Sequence, residues 1–277
     1  MLQTGSPITA SDRVTIQSLW VYPIKSCAGV RLDTAYLDQF GLAGDRRWMV
    51  VDCNGRMVTA RTRPELLHVV PAIHDKTLEL SAPGMGKLKL SPPSGKSRLT
   101  VRIWHDHVAG VPCHLEGSQW FSDYLKQQVQ LVWMDVPRRH VEPNTTVRPT
   151  PVAFADGFPL LVINQASITE IEQRLGTTID VRRFRPNLVV QGAKAWEEDH
   201  WHALTSDTMT LTNVKPCARC QVICTDPDSL SSEPELLKRL ASYRKTELGI
   251  IVGFNAIHDG PGQLRQNQTL TICPATH

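Results

Sequence analysis

The stretch VTIQSLWVYP, residues 14–23, is short, rich in Val, Ile, Leu and Trp, and ends at a proline. Branched and aromatic side chains fit a pleated strand, and proline interrupts one. Five further segments share this character: RRWMVVD (46–52), LTVRIW (99–104), LVWMDV (131–136), FPLLVIN (158–164) and TMTLTNV (208–214). The sequence therefore predicts a mainly β fold with a few helices (α+β), built around a barrel.

Helical patterns are few. GSQWFSDYLKQQ (117–128) begins with a serine cap and places its large apolar residues on one side. SITEIEQRLG (167–176) begins at Ser167 and has Glu170 three residues later, the pattern of a capping box, and its final glycine suits the position after the last turn. PELLKRLASYR (234–244) is a third candidate helix.

The region around residues 137–149 is rich in proline and shows no periodicity, which predicts a long loop. A chain of 277 residues is long enough for one large domain or two intimate ones. We therefore expect an N-terminal β-rich module at 14–136 and a C-terminal module at 150–275.

The composition excludes several classes of protein. The net charge of +3 and the absence of a long basic run argue against nucleic acid as a stable partner. The sequence contains no stretch of 18 apolar residues and therefore predicts no membrane span. The start, MLQTGSPITASD, has neither the charged nor the apolar region of a secretory signal, so we expect an unstructured lead-in and a cytoplasmic location.

Seven cysteines stand at irregular spacing, and their number is odd. Without a secretory signal, a disulfide framework is not expected, so the thiols should be reduced. Four of them are interpreted as small buried hydrophobic residues: Cys27, Cys53, Cys113 and Cys273. The remaining cluster at 217–224 requires a chemical explanation.

That cluster lies in KPCARCQVICTDPD, residues 215–228. A CxxC pair is typical of zinc or thiol-redox sites. Structural zinc needs four ligands, but no second CxxC follows, and the two closely spaced histidine pairs, at 105/107 and 200/202, are remote in sequence. A thioredoxin-like site needs a helix after the pair, whereas QVIC (221–224) resembles a strand. The pattern alone leaves the chemistry open.

Arginines are concentrated in VRRFRPNLVVQG, residues 181–192. A guanidinium suits a phosphate bidentately, and the amide of Asn187 both donates and accepts hydrogen bonds, as the edge of a pterin requires. Arg182 and Arg183 are interpreted as a solvated face. Arg185 directly precedes Pro-Asn and a strand, which favours a ligand-binding role.

Two more segments place a cation beside a strand. In WVYPIKSCAGV (20–30), Lys25 and Ser26 follow a strand and can present an ammonium and a hydroxyl to an anion. In GLAGDRRWMVVD (41–52), Arg46 stands at a strand start. The alternative for Arg46 is a surface ion pair with the preceding aspartate, which would contribute little.

Together these segments resemble the MOSC-domain family, specifically the branch of the mitochondrial amidoxime-reducing component and bacterial reductases of N-hydroxylated compounds. The matching pieces occur in the family's order over about residues 15–250: LWVYPIKSCAGV, GLAGDRRWMVVD, MVTARTRPELL, FADGFPLLVINQAS, RFRPNLVV, KPCARCQV and TDPD. The resemblance implies a β-barrel MOSC domain preceded by a MOSC-associated β-rich domain.

The resemblance also assigns a site. In that family the second cysteine of PCxRC supplies a thiolate to molybdenum, which makes Cys220 the metal ligand and catalytic residue here. The family's other residues that hold the molybdenum cofactor, Mo-molybdopterin, correspond to Lys25, Ser26, Arg46, Ser167, Arg185 and Asn187. Ser167 would stand where a helix N-terminus faces an anion. The family often has a threonine pair where this chain has Ile223 and Cys224, and Cys217 adds another thiol.

The activity implied by the resemblance is reduction of N-hydroxylated compounds, such as amidoximes, N-hydroxylated bases and hydroxylamines, by oxygen-atom transfer to molybdenum. The chain shows no GxGxxG fingerprint and no cluster-binding cysteine pattern, so a separate flavin, iron–sulfur or haem protein is the expected electron donor. Two alternatives remain open: a non-catalytic carrier of molybdenum cofactor or sulfur, and a binding module stabilised by zinc.

Overall fold

A computed structural model describes residues 12–75, 77–142 and 149–275. The predicted lead-in lies almost wholly outside the described residues, as does much of the predicted loop. The strands are β1 (Arg13–Val21), β2 (Val30–Leu32), β3 (Thr34–Asp38), β4 (Gly41–Leu42), β5 (Trp48–Asp52), β6 (Val70–His74), β7 (Thr77–Ser81), β8 (Leu88–Leu90), β9 (Leu99–Ile103), β10 (Asp106–Pro112), β11 (Val129–Trp133), β12 (Leu160–Asn164), β13 (Leu188–Gln191), β14 (Trp201–Thr205), β15 (Thr210–Ala218), β16 (Lys245–Thr246), β17 (Gly249–His258), β18 (Gly262–Arg265) and β19 (Thr269–Pro274). The helices are α1 (Leu115–Leu125), α2 (Gln165–Leu175) and α3 (Pro234–Arg244).

Seven of these strands close into a barrel in the order β12, β13, β1, β19, β14, β15 and β17, and β17 pairs back with β12. The β12–β13 pair is parallel and the other pairs are antiparallel. Apolar side chains fill the barrel core, among them Leu19, Val162, Leu188, Leu211 and Phe254. The predicted mainly β, barrel-centred fold is confirmed.

β1 joins the two halves of the chain. It pairs with β13 through Leu19 and Leu188, and with β19 through Arg13 and Thr271. β18 in turn pairs with β3. The predicted division grouped β1 with the N-terminal module, whereas its hydrogen bonds place it in the barrel formed by the C-terminal module.

Seven of the N-terminal strands form a sheet ordered β5-β11-β10-β9 and a second sheet ordered β6-β7-β8, while β2 pairs with β1 and β4 with β3. α1 packs Trp120, Phe121 and Leu125 into a core that includes Leu88 and Leu131. α1 begins at Leu115, two residues before the predicted start, and Ser118 is not its cap: the Ser118 hydroxyl accepts from the backbone N–H of Leu131 at 3.1 Å.

α2 begins two residues before the predicted start. Its N-cap is Asn164, whose side-chain oxygen accepts from the N–H of Ala166 at 3.2 Å. Ser167 therefore lies inside the helix, and the predicted capping box is wrong. Gly176 ends α2 with φ 74°, as predicted, and α3 has the predicted bounds. Among the described residues, every helix is too short or too polar to cross a membrane.

Candidate functional site

A cleft of about 340 Å³ opens beside the barrel, with walls from both halves of the chain. Six of the seven predicted site residues line this cleft: Lys25, Ser26, Arg46, Arg185, Asn187 and Cys220. Each follows or precedes a strand, because strand ends are where the backbone leaves the sheet and side chains become available to a ligand. The structure thus brings together residues separated by almost 200 positions.

Lys25 is a buried cation of the cleft. Its ammonium donates to the carbonyl of Phe154 at 2.8 Å and to Oδ1 of Asp156 at 2.6 Å. Burial lowers the pKa of Lys25, and the carboxylate of Asp156 opposes that shift. One of the three ammonium protons is left for a ligand.

Arg46 organises the neighbouring polar groups. It donates to Oδ2 of Asp45 at 2.6 Å, to Oδ1 of Asn187 at 3.1 Å and to the carbonyl of Arg185 at 3.1 Å. The side chain of Asp45 is 2% exposed and accepts from the N–H of Tyr22 at 2.8 Å. The interpretation of Asp45–Arg46 as a surface ion pair is therefore wrong, because the pair is buried.

Arg185 carries an unused donor. Nη1 donates to the carbonyl of Cys27 at 2.8 Å, while Nη2 is buried and has no partner among the described residues. Burial lowers the pKa of Arg185, as does the nearby charge of Arg46. A buried, unpaired guanidinium N–H is costly unless an acceptor arrives, so this position suits an anionic ligand.

Three of the predicted site residues have left-handed backbone conformations: Ser26 at φ 69°, Arg46 at φ 45° and Arg185 at φ 55°. Such conformations cost free energy for side chains with a Cβ, and they concentrate at functional sites. Arg185 also precedes Pro186, a context that favours extended backbone instead. The surrounding contacts hold these residues in place against local preference.

Cys220 is exposed at the cleft, just after β15 ends. The residues that follow it, Gln221–Cys224, form a 3-10 turn rather than the predicted strand. Nη2 of Arg61 lies 3.2 Å from Sγ of Cys220. Arg219, the residue before Cys220, donates to Sγ of Cys217 at 2.9 Å.

The chain matches two family descriptions, MOSC N-terminal beta barrel domain over residues 13–128 and MOSC domain over residues 149–271. The chain belongs to the MOSC family. Mitochondrial amidoxime-reducing component 1 of Mus musculus is 35% identical over 242 residues, which cover 83% of this chain and 71% of the relative.

Two further MOSC relatives are similarly close. Mitochondrial amidoxime reducing component 2 of Rattus norvegicus is 35% identical over 247 residues, covering 83% of this chain and 72% of the relative. Mitochondrial amidoxime-reducing component 1 of Homo sapiens is 33% identical over 245 residues, covering 84% and 73%. The resemblance that the motifs indicated is confirmed.

In this MOSC protein Ser167 does not line the cleft. It is fully buried, its hydroxyl donates to Oε1 of Glu198 at 2.6 Å, and its oxygen accepts from the N–H of Trp196 at 2.8 Å. Asn164 donates to the other oxygen of Glu198 at 3.1 Å. Burial raises the pKa of Glu198 to about 7. The predicted anion partner of Ser167 is thus a carboxyl group of the protein itself.

The two other arginines of the cluster are ion-paired rather than solvated. Arg183 is buried and donates to Asp226 at 2.8 Å and to Glu233 at 2.9 Å. Arg182 bridges Asp180 and Asp228. Because Asp226 and Asp228 belong to the segment after Cys220, these pairs fix the path of the chain beyond the thiol.

The sequence did not single out Arg61, Trp104 or Asp156, which all line the cleft. Arg61 stands in MVTARTRPELL, a matching segment to which no role was assigned, so its signal was present. The cysteine interpretation also needs correction, because Cys53 is exposed rather than buried; of the other three, Cys27 is buried, and Cys113 and Cys273 are half-buried.

Within the described parts of the chain, no group of three or more His, Cys, Asp or Glu side chains is placed to hold a metal ion. A zinc site at the CxxC pair therefore has no structural support. One exposed thiol and the unpaired donor of Arg185, which line the same cleft, fit a different group, an anionic cofactor whose metal already has its own sulfur ligands.

Proposed function

We propose that this MOSC protein holds Mo-molybdopterin in the cleft, with Cys220 as metal ligand, and reduces N-hydroxylated compounds. The observation that carries the proposal is the convergence of an exposed thiol and an unpaired buried guanidinium in one cleft. The relatives are named amidoxime-reducing components, which supports the substrate class. Amidoximes, N-hydroxylated bases and hydroxylamines share the N–O bond that would be reduced.

Each cleft residue has a distinct task in this proposal. Arg185 and the free proton of Lys25 bind the anionic part of the cofactor, and Arg46 with Asn187 supplies donors and acceptors for its pterin. Cys220 provides the thiolate. When bound, the cofactor would supply the two-electron chemistry that breaks the N–O bond, while the protein provides position, charge and exclusion of water.

Electrons would come from a separate flavin, iron–sulfur or haem protein. Cys220 is exposed, so a metal bound to it would lie close enough to the surface for a docked donor. Since the relatives are named mitochondrial, a cytoplasmic location stays a prediction.

The test compares Cys220→Ser with Cys217→Ser, each assayed with a chemical reductant and analysed for molybdenum, zinc and pterin. We expect stoichiometric molybdenum and pterin in the parent protein, no N-reduction in Cys220→Ser, and substantial activity in Cys217→Ser. A serine at 217 keeps an acceptor for Arg219, so its fold should survive.

Other results would redirect the assignment. Equal loss of activity in both variants would contradict Cys220 as the single thiolate ligand. Labile sulfane sulfur with little molybdenum would favour the carrier alternative. Bound zinc lost from both variants, with lower folding stability, would favour the zinc-stabilised binding module.

A further inference from the structure

One wall of the cleft is built by Trp104, the first residue of the turn between β9 and β10. Its backbone φ is +54°, which is uncommon for a bulky side chain and is tolerated only where the surroundings enforce it. The indole Nε1 donates to Oδ1 of Asp156 at 3.3 Å. Asp156 also accepts from Lys25, so the ring is tied to the cleft network.

The ring of Trp104 packs against the guanidinium of Arg61. The guanidinium carbon of Arg61 lies 4.2 Å from the centroid of the Trp104 ring, within cation–π range. From there Nη2 reaches Sγ of Cys220 at 3.2 Å. The ring therefore holds the guanidinium against the thiol that the proposed function assigns to the metal.

Among the described residues, Arg61 forms no direct ion pair with a carboxylate, although its charge lies close enough to Asp156 to help lower the pKa of that carboxyl. Lys25 and Arg46 pair with Asp156 and Asp45 at 2.6 Å, whereas Arg61 forms no salt bridge with any carboxylate of the described residues. A ligand that approaches Cys220 thus meets a fixed positive charge. Neutral ligands tolerate that charge, and cationic ligands are repelled by it.

This charge distinguishes substrate from product. Reduction of an amidoxime takes up two electrons and two protons, breaks the N–O bond, and yields water and an amidine. An N-hydroxyl group withdraws electrons and lowers basicity, so an amidoxime is neutral near pH 7. The amidine lacks that group, takes up a further proton and becomes a cation.

We propose that Arg61 is a specificity-determining residue that admits neutral N-hydroxylated compounds and rejects cationic amidines and amines, and that Trp104 is its positioning residue. The proposal rests on the proposed reductase function. If Arg61 has this role, the charge of the product favours its release. The amidine gains a proton, becomes a cation and is then repelled by Arg61.

The test measures binding rather than turnover. Benzamidine, a cation, and benzamide, a neutral molecule of nearly the same shape, are titrated calorimetrically into cofactor-loaded protein. Arg61→Gln removes the charge and Arg61→Lys retains it. We expect benzamidine to bind about twofold to fivefold more tightly to Arg61→Gln than to the parent, as for one partly exposed charge pair. Benzamide should bind all three proteins alike.

Two further measurements separate charge from packing. Added salt should strengthen benzamidine binding to the parent and leave Arg61→Gln unchanged, because screening weakens only the repulsion. Trp104→Leu should behave partly like Arg61→Gln, while Trp104→Phe retains an aromatic face for the guanidinium. A structural role for either residue would not produce this salt dependence.

The outcomes distinguish the two proposals. If the parent protein reduces benzamidoxime but benzamidine binds the parent and Arg61→Gln equally, the role of Arg61 is wrong and the reductase function stands. If the parent retains no molybdenum and reduces no N-hydroxylated compound, the function itself is wrong, and the inference built on it falls too.

Discussion

Tyr22 lies between two arginines of the cleft. Its ring centroid lies 4.4 Å from the guanidinium carbon of Arg46 and 4.3 Å from that of Arg185. The negative face of an aromatic ring offsets part of the repulsion between two like charges. The ring packs directly against Gly29 and has little room to shift. A Cβ added at that glycine would lie 2.5 Å from Cε1 of Tyr22.

The ring of Tyr22 should matter more than its hydroxyl. That hydroxyl is buried without a partner among the described residues, and burial raises the pKa of Tyr22 to about 12. We expect Tyr22→Phe to retain molybdenum and to be as stable as the parent, or more stable by about 1 kcal/mol. Tyr22→Leu should lose cofactor, since about 0.5–2 kcal/mol of cation–π attraction disappears per arginine.

Molybdenum content after dialysis and urea unfolding would measure both effects. Equal damage from the Phe and Leu substitutions at Tyr22 would show that the hydroxyl, not the ring, is required.

Arg185→Ala should weaken cofactor retention, because it removes the buried donor that has no protein partner. A lost charge-assisted hydrogen bond costs about 1.5–3 kcal/mol, which is about tenfold or more in affinity. Arg239→Ala is the matched control, since Arg239 forms only an exposed pair with Glu235 on α3. Molybdenum content equal to that of the parent in Arg185→Ala would contradict the placement of the cofactor.

Among the elements, the start of α2 shows what local sequence can and cannot predict. The helix and its final glycine follow from local pattern. The true cap, Asn164, stands three residues before the serine that the capping-box pattern selected. The serine's partner, Glu198, lies 31 residues away in a 3-10 turn, and no local rule indicates such a contact.

The cleft shows the same difference between local patterns, which sequence reveals, and long-range contacts, which it does not. The strand-end residues were predicted because each motif is local and the motifs occur in a family's order. Arg61 was missed because its contact with Cys220 spans 159 residues. The two ion pairs of the buried Arg183 were missed for the same reason, since a run of arginines alone does not show which carboxylates will face it.

The Glu198 contact predicts a pH dependence of stability. Glu198 has an ordinary pKa of 4.5, and in the folded protein the pKa is raised to about 7. Between these values the unfolded chain releases a proton that the folded chain keeps, so the contribution of Glu198 to stability is fully present below about pH 4.5 and is lost as pH rises to 7. The loss attributable to Glu198 is on the order of 3 kcal/mol.

Glu198→Gln should flatten this slope, because a glutamine at position 198 does not titrate. Unfolding free energies at pH 5, 6, 7 and 8 would check this, with Glu235→Gln, an exposed glutamate, as the control. An unchanged slope in Glu198→Gln would mean that Glu198 is ionised throughout this range.

At the scale of the whole molecule, β1 makes the barrel depend on the N-terminal half. Without it, β13 and β19 would present unpaired edges, and the core would lose Ile16 and Leu19. We expect residues 150–275 expressed alone to aggregate or to lack a cooperative unfolding transition. The same segment linked to residues 12–23 is the control that restores the missing strand. Cooperative unfolding of the isolated segment would show that the barrel tolerates an open edge.

The pairing of β1 with β19 also bears on when the barrel can fold during synthesis. Arg13 lies opposite Thr271, so the register of β1 is complete only after a strand much later in the sequence has been synthesised. Lys25 and Ser26 follow β1 in the chain. Cys220 lies between β15 and β17, which are two other strands of the same barrel. We therefore expect the cleft to be complete only when β19 has joined the barrel, so that a cofactor would bind the folded barrel rather than a nascent chain.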